Sequence, residues 1–218
     1  MKNITGSFPE GKITTITGPS GAGKSTLLKL CNGLLSPTSG DIFIYGRSIQ
    51  EFEPVELRKM IGIALQHAPM IPGTVYDNIN LPMKLAGKKL SEDEAAAYLE
   101  NVGLDRSFLH HDSKDLSGGQ RQKVSIARTL VNRPKILLLD EITASLDQQS
   151  SKEIEELIVT INEKYNVTII WITHHLNQAK TIGHYTWVIM DGQVAETGES
   201  SLLENPKTEK VKQFVKGG

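Results

Sequence analysis

Cysteine is nearly absent from this chain of 218 residues, in which Cys31 stands alone. An intrachain disulfide is thereby excluded, and so is a cysteine-based metal cluster. Cys31 falls among leucines, where a reduced, buried thiol is expected rather than a nucleophile or a ligand. Long apolar runs are also missing. None approaches the eighteen or so residues that a membrane helix needs, and the first residues, MKNITGSFPEGK, contain no apolar core of the kind a secretory signal carries. The expectation is a protein that stays in the cytoplasm. Charge of one sign is lacking too: 24 Lys and Arg against 25 Asp and Glu leave a net charge of −1, so no nucleic acid is expected as a partner. Neither an internal repeat nor a low-complexity segment is visible. Hydrophobic residues make up 39% of the chain, ample for the core of one globular domain with a small subdomain.

What the chain does have is the stretch Gly18, Pro19, Ser20, Gly21, Ala22, Gly23, Lys24, Ser25 and Thr26. It fits G-x-x-x-x-G-K-[S/T] letter for letter. A β-branched run, KITTIT, precedes it and reads as a buried strand. LLKLCNGLL follows, with leucines at helical spacing. A strand, a glycine-rich turn and a helix start aim several N–H groups and the positive end of a helix dipole at one point, which should hold phosphate. Lys24 is expected to reach the outer phosphates, the Ser25 hydroxyl to hold magnesium and Thr26 to meet an inner phosphate.

Taken in order, residues 3–8 and 12–17 read as two strands joined by a turn at Pro9-Glu10-Gly11. A helix over 24–34, a strand over 41–45, a short helix over 57–60 and an apolar strand over 61–65 follow. Beyond His67 the texture becomes helical. A loop holding three prolines leads to a short helix from Thr74, and Ser91 with Glu94 forms a capping-box pattern that opens a helix ending by Gly103. A further helix starts at Ser117 and stops before Pro134. Residues 67–131 are therefore expected to form a helical subdomain, and 1–66 with 132–218 the core. KILLLDE (135–141) and VTIIWIT (167–173) read as buried strands around a helix over 148–163. A hairpin turning at Asp191-Gly192 and an amphipathic helix near 211–215 complete the chain. Strands alternating with helices imply an α/β fold with a largely parallel core sheet.

Candidate chemistry collects where strands end. Asp140 and Glu141 close an apolar strand; Asp140 is placed to hold magnesium through water, and Glu141 to polarise a water for attack on the terminal phosphate. Gln66 and His174 also stand where strands run out, the edge at which parallel sheets bind ligands. Gln66 is a candidate for coordinating magnesium and the attacking water, His174 for bonding the terminal phosphate or Glu141. Taken singly, either is equally well a solvated strand end, and nothing spaces His110, His111, His175 or His184 as a metal site. The segment Leu116, Ser117, Gly118, Gly119, Gln120 is a second anion-binding candidate at a helix start, though by itself it is also an ordinary cap. Two cradles on one chain make sense if two copies meet head to tail over shared nucleotide.

With these motifs in this order, the chain resembles the nucleotide-binding subunit of ABC transporters over nearly its whole length. GPSGAGKST is similar to the Walker A motif, Gln66 to the Q-loop, LSGGQ at 116–120 to the signature, ILLLDE at 136–141 to Walker B, SLD at 145–147 to the D-loop and His174 to the switch histidine. The resemblance implies an ABC-type P-loop NTPase fold with an antiparallel β part. It also implies ATP and Mg2+ as ligands, a second ATP-binding subunit making a sandwich dimer, and transmembrane permease partners that keep the protein on the inner face of the membrane. Ser117 and Gly119 would then reach the partner's phosphate, and Asp147 would link the two sites.

The chain departs from the family pattern in three places. EITASLD stands where E-P-T-S-A-L-D is usual, His175 where aspartate is common, and the upstream aromatic that stacks on adenine lies before the point where this chain begins. Phe8 is too near the phosphate loop to replace it, so weaker or less selective base recognition, or a shortened open reading frame, is expected. TGPSGAGKSTLLK, TVYDN and LLLDEIT look most similar to Fet-type ATPases linked to iron export. Importers of phosphate or amino acids carry similar cassettes, and a soluble ABC-type protein acting on nucleic acid or ribosomes is the more distant alternative.

Overall fold

The computed structural model describes residues 1–217. A six-stranded sheet runs through it in the order β4-β5-β6-β1-β7-β8, with a separate two-stranded sheet, β2-β3. The strands are β1 (Ile13–Thr17), β2 (Phe43–Ile44), β3 (Arg47–Ser48), β4 (Ile61–Leu65), β5 (Ile136–Asp140), β6 (Thr168–Ile172), β7 (Tyr185–Met190) and β8 (Gln193–Glu199). Every pairing from β4 to β7 is parallel; β8 joins antiparallel through the Asp191-Gly192 turn, and β2 and β3 form a small antiparallel hairpin. The helices are α1 (Lys24–Cys31), α2 (Pro54–Met60), α3 (Val75–Leu85), α4 (Glu92–Glu100), α5 (Gly118–Leu130), α6 (Gln148–Tyr165), α7 (Leu176–Ile182) and α8 (Glu209–Gly217).

The central strands are apolar on both faces because helices cover both faces. Leu137, Leu138 and Leu139 of β5 are completely buried, as are Ile169, Trp171 and Ile172 of β6. One core joins Leu137, Leu139, Ile169 and Trp171 to Val75 and Ile79 of α3, Leu99 of α4, Val124 of α5 and Ile154 of α6. The other joins Leu138 and Ile170 to Leu27 and Leu28 of α1 and to Trp187. At about 1.5–3 kcal/mol for each fully buried large aliphatic side chain, these two layers are what hold the strand ends in register. Cys31 packs, only partly buried, against the second core, and desolvation pushes its thiol up to about 12, which disfavours the thiolate.

Several sequence expectations need correction. Residues 3–8 form no strand: Asn3 has φ 50°, and the segment lies on Trp187, with Phe8 stacked on that indole at 4.5 Å. The strand expected over 41–45 is only Phe43–Ile44, and its partner is β3 rather than the main sheet. The helix after the phosphate loop ends at Cys31, where Asn32 caps it. Helix α3 is longer than expected and continues past Pro82. Its Thr74 and Asp77 form a capping box, as do Ser91 with Glu94 and Ser117 with Gln120. α7 has no counterpart in the sequence reading.

Candidate functional site

The register of the parallel strands decides which residues meet at the carboxyl edge of the sheet. Leu65 lies opposite Asp140, and Asp140 opposite Ile172, which is itself level with Ile16. The next residues out are Gln66, Glu141, Thr173-His174 and Thr17-Gly18. One edge therefore presents the candidates from four strands together, as crossover topology dictates for a parallel sheet.

The phosphate loop folds from β1 into α1. Gly18 has φ 142°, and a Cβ there would stand 1.9 Å from the Ile189 carbonyl oxygen of β7, so the loop leaves the sheet through a gap that only glycine fits. Lys24 Nζ donates to the carbonyls of Gly18 at 2.9 Å and Pro19 at 3.0 Å, which curls the loop around the ammonium. Burial pushes the Lys24 pKa below the usual lysine range, and Glu141 and Asp140 pull it back up. Ser25 Oγ donates to Asp140 Oδ1 at 3.0 Å, tying α1 to the end of β5. Asp140 is pushed above the usual carboxylate range, first by burial, with the Ser25 bond opposing and the Glu141 charge adding. Pro19, Ser20, Gly21 and Thr26 are exposed along the loop, whereas Ala22 is buried beneath it.

Glu141 adopts φ 52°, in the left-handed region that side chains other than Asn, Asp and Gly rarely enter. Its N–H donates to the Ile172 carbonyl at 3.1 Å, and its Oε1 lies 2.6 Å from His174 Nε2. Of the two roles open to His174, the contact made is the one with Glu141. The side chain of Glu141 is 18% exposed and that of His174 39%, so the carboxylate sits inside the edge with the imidazole above it. Ile142, which stands where the resembled family has proline, is fully buried in the first core, while Ala144 and Ser145 are exposed on the following turn.

The LSGGQ segment does not join this cluster. Ser117 and Gly118 are exposed at the start of α5, a Cβ on Gly118 would meet Leu146 at 3.2 Å, and one on Gly119 would meet Ser150 Oγ at 3.0 Å. Ser117 Oγ accepts from the Gln120 N–H, and Gln120 Oε1 accepts from the Ser117 N–H. Asp147 caps α6 beside them, accepting from the Ser150 N–H at 2.9 Å, and its bonds to Ser150 hold its carboxyl below the usual range. Among the described residues, the hydrogen bonds of 117–120 do not reach 18–26. A wide groove of about 1180 Å³, lined by Lys59, Lys89, Tyr98, Lys135 and Tyr165 among others, opens where β5 and β6 begin, at the opposite edge of the sheet from these groups. It is no part of the candidate site.

Sequence reasoning missed Thr143 and Gln178. Gln178, on α7, is 4% exposed and donates from Nε2 to Thr143 Oγ1 at 3.2 Å and to Glu155 Oε1 at 2.7 Å. No short motif advertises that contact.

A parallel sheet with a glycine-rich loop on a helix start, and with carboxylates and a lysine gathered at its carboxyl edge, defines a P-loop nucleoside triphosphatase. The model of the ABC transporter family matches residues 1–144, and the chain belongs to that family. It is the ATP-binding subunit of an ABC transporter and an ABC-type ATPase. It is 43% identical to the putative ABC transporter ATP-binding protein YjkB of Bacillus subtilis, over all of this chain and 87% of that protein. To the methionine import ATP-binding protein MetN of the same organism it is 41% identical, over 99% of this chain and 65% of that protein. Among solved structures, cbiO1 of Clostridium perfringens, part of the transporter complex cbiONQ, superposes with a TM-score of 0.84 at 31% identity, covering 93% of this chain and 83% of that one. The dimeric bacterial ABC transporter cassette MJ0796 gives 0.81 at 33% identity, covering 92% and 90%; a dimeric post-hydrolysis state of it holds ADP and Pi. Among the described residues, no helix is long and apolar enough to cross a membrane.

Proposed function

We propose that two copies of this chain close over two ATP molecules and that Glu141 orients the water that attacks the terminal phosphate, driving a membrane permease. The observation that carries this reading is the Glu141–His174 contact of 2.6 Å on a strained residue beside the Ser25–Asp140 pair. A carboxylate held inside the edge by an imidazole is positioned to accept a proton as the water attacks, and His174 then stabilises the charge near the terminal phosphate. Lys24 and the N–H groups of 18–26 hold the phosphates; Gln66, at the end of β4, lies on the same edge. Ser117 and Gly119 serve the nucleotide held by the other copy, with Asp147 between the sites. The helical stretch 67–131 acts as a subdomain that carries this second surface.

Magnesium fits the residues present. Ser25 Oγ and Asp140 Oδ1 lie 3.0 Å apart, and the half-buried Asp140 carboxyl is a hard oxygen donor beside Glu141. Two protein oxygens with Gln66 nearby suit an ion that takes the rest of its shell from water and phosphate. Bound there, it would neutralise phosphate charge and fix the leaving group.

For the solute, the relatives named for methionine import support an amino-acid importer better than the iron exporter of the Fet type suggested by the sequence alone. The subunit then works peripherally on the inner face of the membrane, against permease subunits. Substitution of Glu141 by Gln is the direct test. It is expected to leave ATP binding intact and to reduce turnover by at least about 100-fold, within the range that general-base catalysis supplies. Hydrolysis at the parental rate would refute the assignment. Uptake of labelled methionine against efflux of labelled iron, with the permease that co-purifies with the subunit, separates the two solute readings.

A further inference from the structure

Among the buried polar side chains that the site described so far does not use is Gln178. Gln178 lies on α7, four residues after His174, and its amide reaches back to the segment that follows Glu141. Nε2 donates to Thr143 Oγ1 at 3.2 Å and to Glu155 Oε1 of α6 at 2.7 Å. Its Oε1 is buried and meets no hydrogen-bond partner among the described residues. Leaving that acceptor unpaired is costly, so the residue is held in place by what its nitrogen does.

What the nitrogen does bears on the strain at Glu141. A glutamate at φ 52° carries a conformational cost that the structure around it must offset. Upstream, the fastening is the Glu141 N–H on the Ile172 carbonyl. Downstream, Ile142 is anchored by burial in the first core, and among the described residues the backbone bonds are local turns, Ala144 N–H to Glu141 O and Leu146 N–H to Thr143 O. Among the described residues, the side-chain bonds that tie Thr143 to other elements come from Gln178 and from Ser151, which donates to the Thr143 carbonyl at 3.4 Å. The Gln178 bond is the shorter, and it comes from the same short segment whose His174 touches the Glu141 carboxylate.

We propose that Gln178 is a positioning residue for hydrolysis. Together with His174 it grips the Glu141–Thr143 turn at two points, so that the catalytic carboxylate, the histidine and the chain leading to Asp147 move as one body. Glu155 fixes the amide from α6 and sets its direction. This inference rests on the assignment of Glu141 as the base. It predicts that loss of the Thr143 bond lets Glu141 leave its strained conformation, which slows the chemical step and leaves the phosphate loop as it was.

The test uses the full chain and three variants, with ATP affinity, kcat, KM and thermal midpoint measured for each. Gln178→Leu keeps the volume and removes the donor; kcat is expected to fall about tenfold or more, with KM for ATP within about twofold, a split that reads positioning rather than binding. Gln178→Glu sets a carboxylate against Glu155 and should be at least as slow. The pair Gln178→Glu with Glu155→Gln reverses the donor and acceptor, with the Thr143 hydroxyl donating to the new carboxylate, and is expected to recover kcat to within about threefold of the parent. A parental kcat in Gln178→Leu overturns the inference, and so does a double variant no faster than Gln178→Glu alone. If Gln178→Leu does not fold, the double variant decides by itself. Should Glu141→Gln hydrolyse normally, the base assignment fails whatever Gln178 does; should it be inactive while Gln178→Leu is unimpaired, only the present inference fails.

Discussion

Asp140 is a catalytic-edge residue whose folded surroundings work against its own charge. Burial raises its pKa, and the Ser25 hydroxyl compensates only in part. A carboxyl with a raised folded-state pKa binds its proton more tightly folded than unfolded, so stability falls as pH rises through the interval above the ordinary 3.8 and stays lower at neutral pH. Removing the charge should therefore help the fold and harm the chemistry. Asp140→Asn, whose amide oxygen still accepts from Ser25, is expected to raise the thermal midpoint at pH 7.5, with the gain vanishing below pH 4, while Mg-dependent ATPase falls by about tenfold or more. A lowered midpoint at neutral pH would contradict this account. Lys24 carries the matching burden from the other side, since burial lowers its pKa. For Lys24→Ala, calorimetric titration should show ATP affinity weakened by at least about tenfold, because the charge aimed at the phosphates is gone.

At the scale of elements, three capping boxes of the same build allow a controlled comparison. In two of them, Ser91 with Glu94 and Ser117 with Gln120, the returning backbone bond is 2.8 Å and the hydroxyl accepts at 3.2 Å. Replacing either serine by alanine should cost about 1 kcal/mol of stability, as loss of a cap does. Ser91→Ala should leave ATPase activity unchanged, whereas Ser117→Ala should lower it several-fold if that hydroxyl also meets a phosphate. Equal effects on activity would reduce Ser117 to a cap. The two starts were legible from S-x-x-E and S-x-x-Q spacing, and β4, β5 and β6 from unbroken aliphatic runs, because both signals are local. The stretch 3–8 misled because its apolar residues Ile4 and Phe8 pack against the second core, Phe8 stacked on Trp187, without joining the sheet. Gln178 was invisible for a related reason: its partners are Thr143 and Glu155, at sequence distances of 35 and 23 residues, and no pattern within one window encodes such a contact. The motif residues at 18–26, 66, 140–141 and 174 were readable, and a His174 bond to Glu141 was one of the two roles read for that histidine; the φ of Glu141 needed the fold.

On the scale of the whole molecule, the decisive question is which copy supplies each surface of the site. Lys24 and Ser25 belong to the edge where β1 and β5 end, whereas Ser117–Gly119 lean on Leu146 and Ser150 at the start of α6. Among the described residues no hydrogen bond joins the two surfaces, and in the proposed arrangement they come from different copies. That arrangement can be tested without a crystal, by mixing two defective chains. Lys24→Ala spoils the loop in both sites of its own dimer, and Ser117→Arg spoils the second surface in both sites of its own. A mixed dimer places both defects in one site and leaves the other with an intact loop from one chain and an intact serine from its partner. Equal mixing makes half the dimers hybrid with one good site of two, so ATPase activity should return to up to about a quarter of the parental value, while each variant alone stays near background. Dilution should abolish the recovery, since it depends on association. A mixture no more active than the sum of its parts would mean that each chain completes its own site, and the LSGGQ helix start would then be an ordinary helix cap.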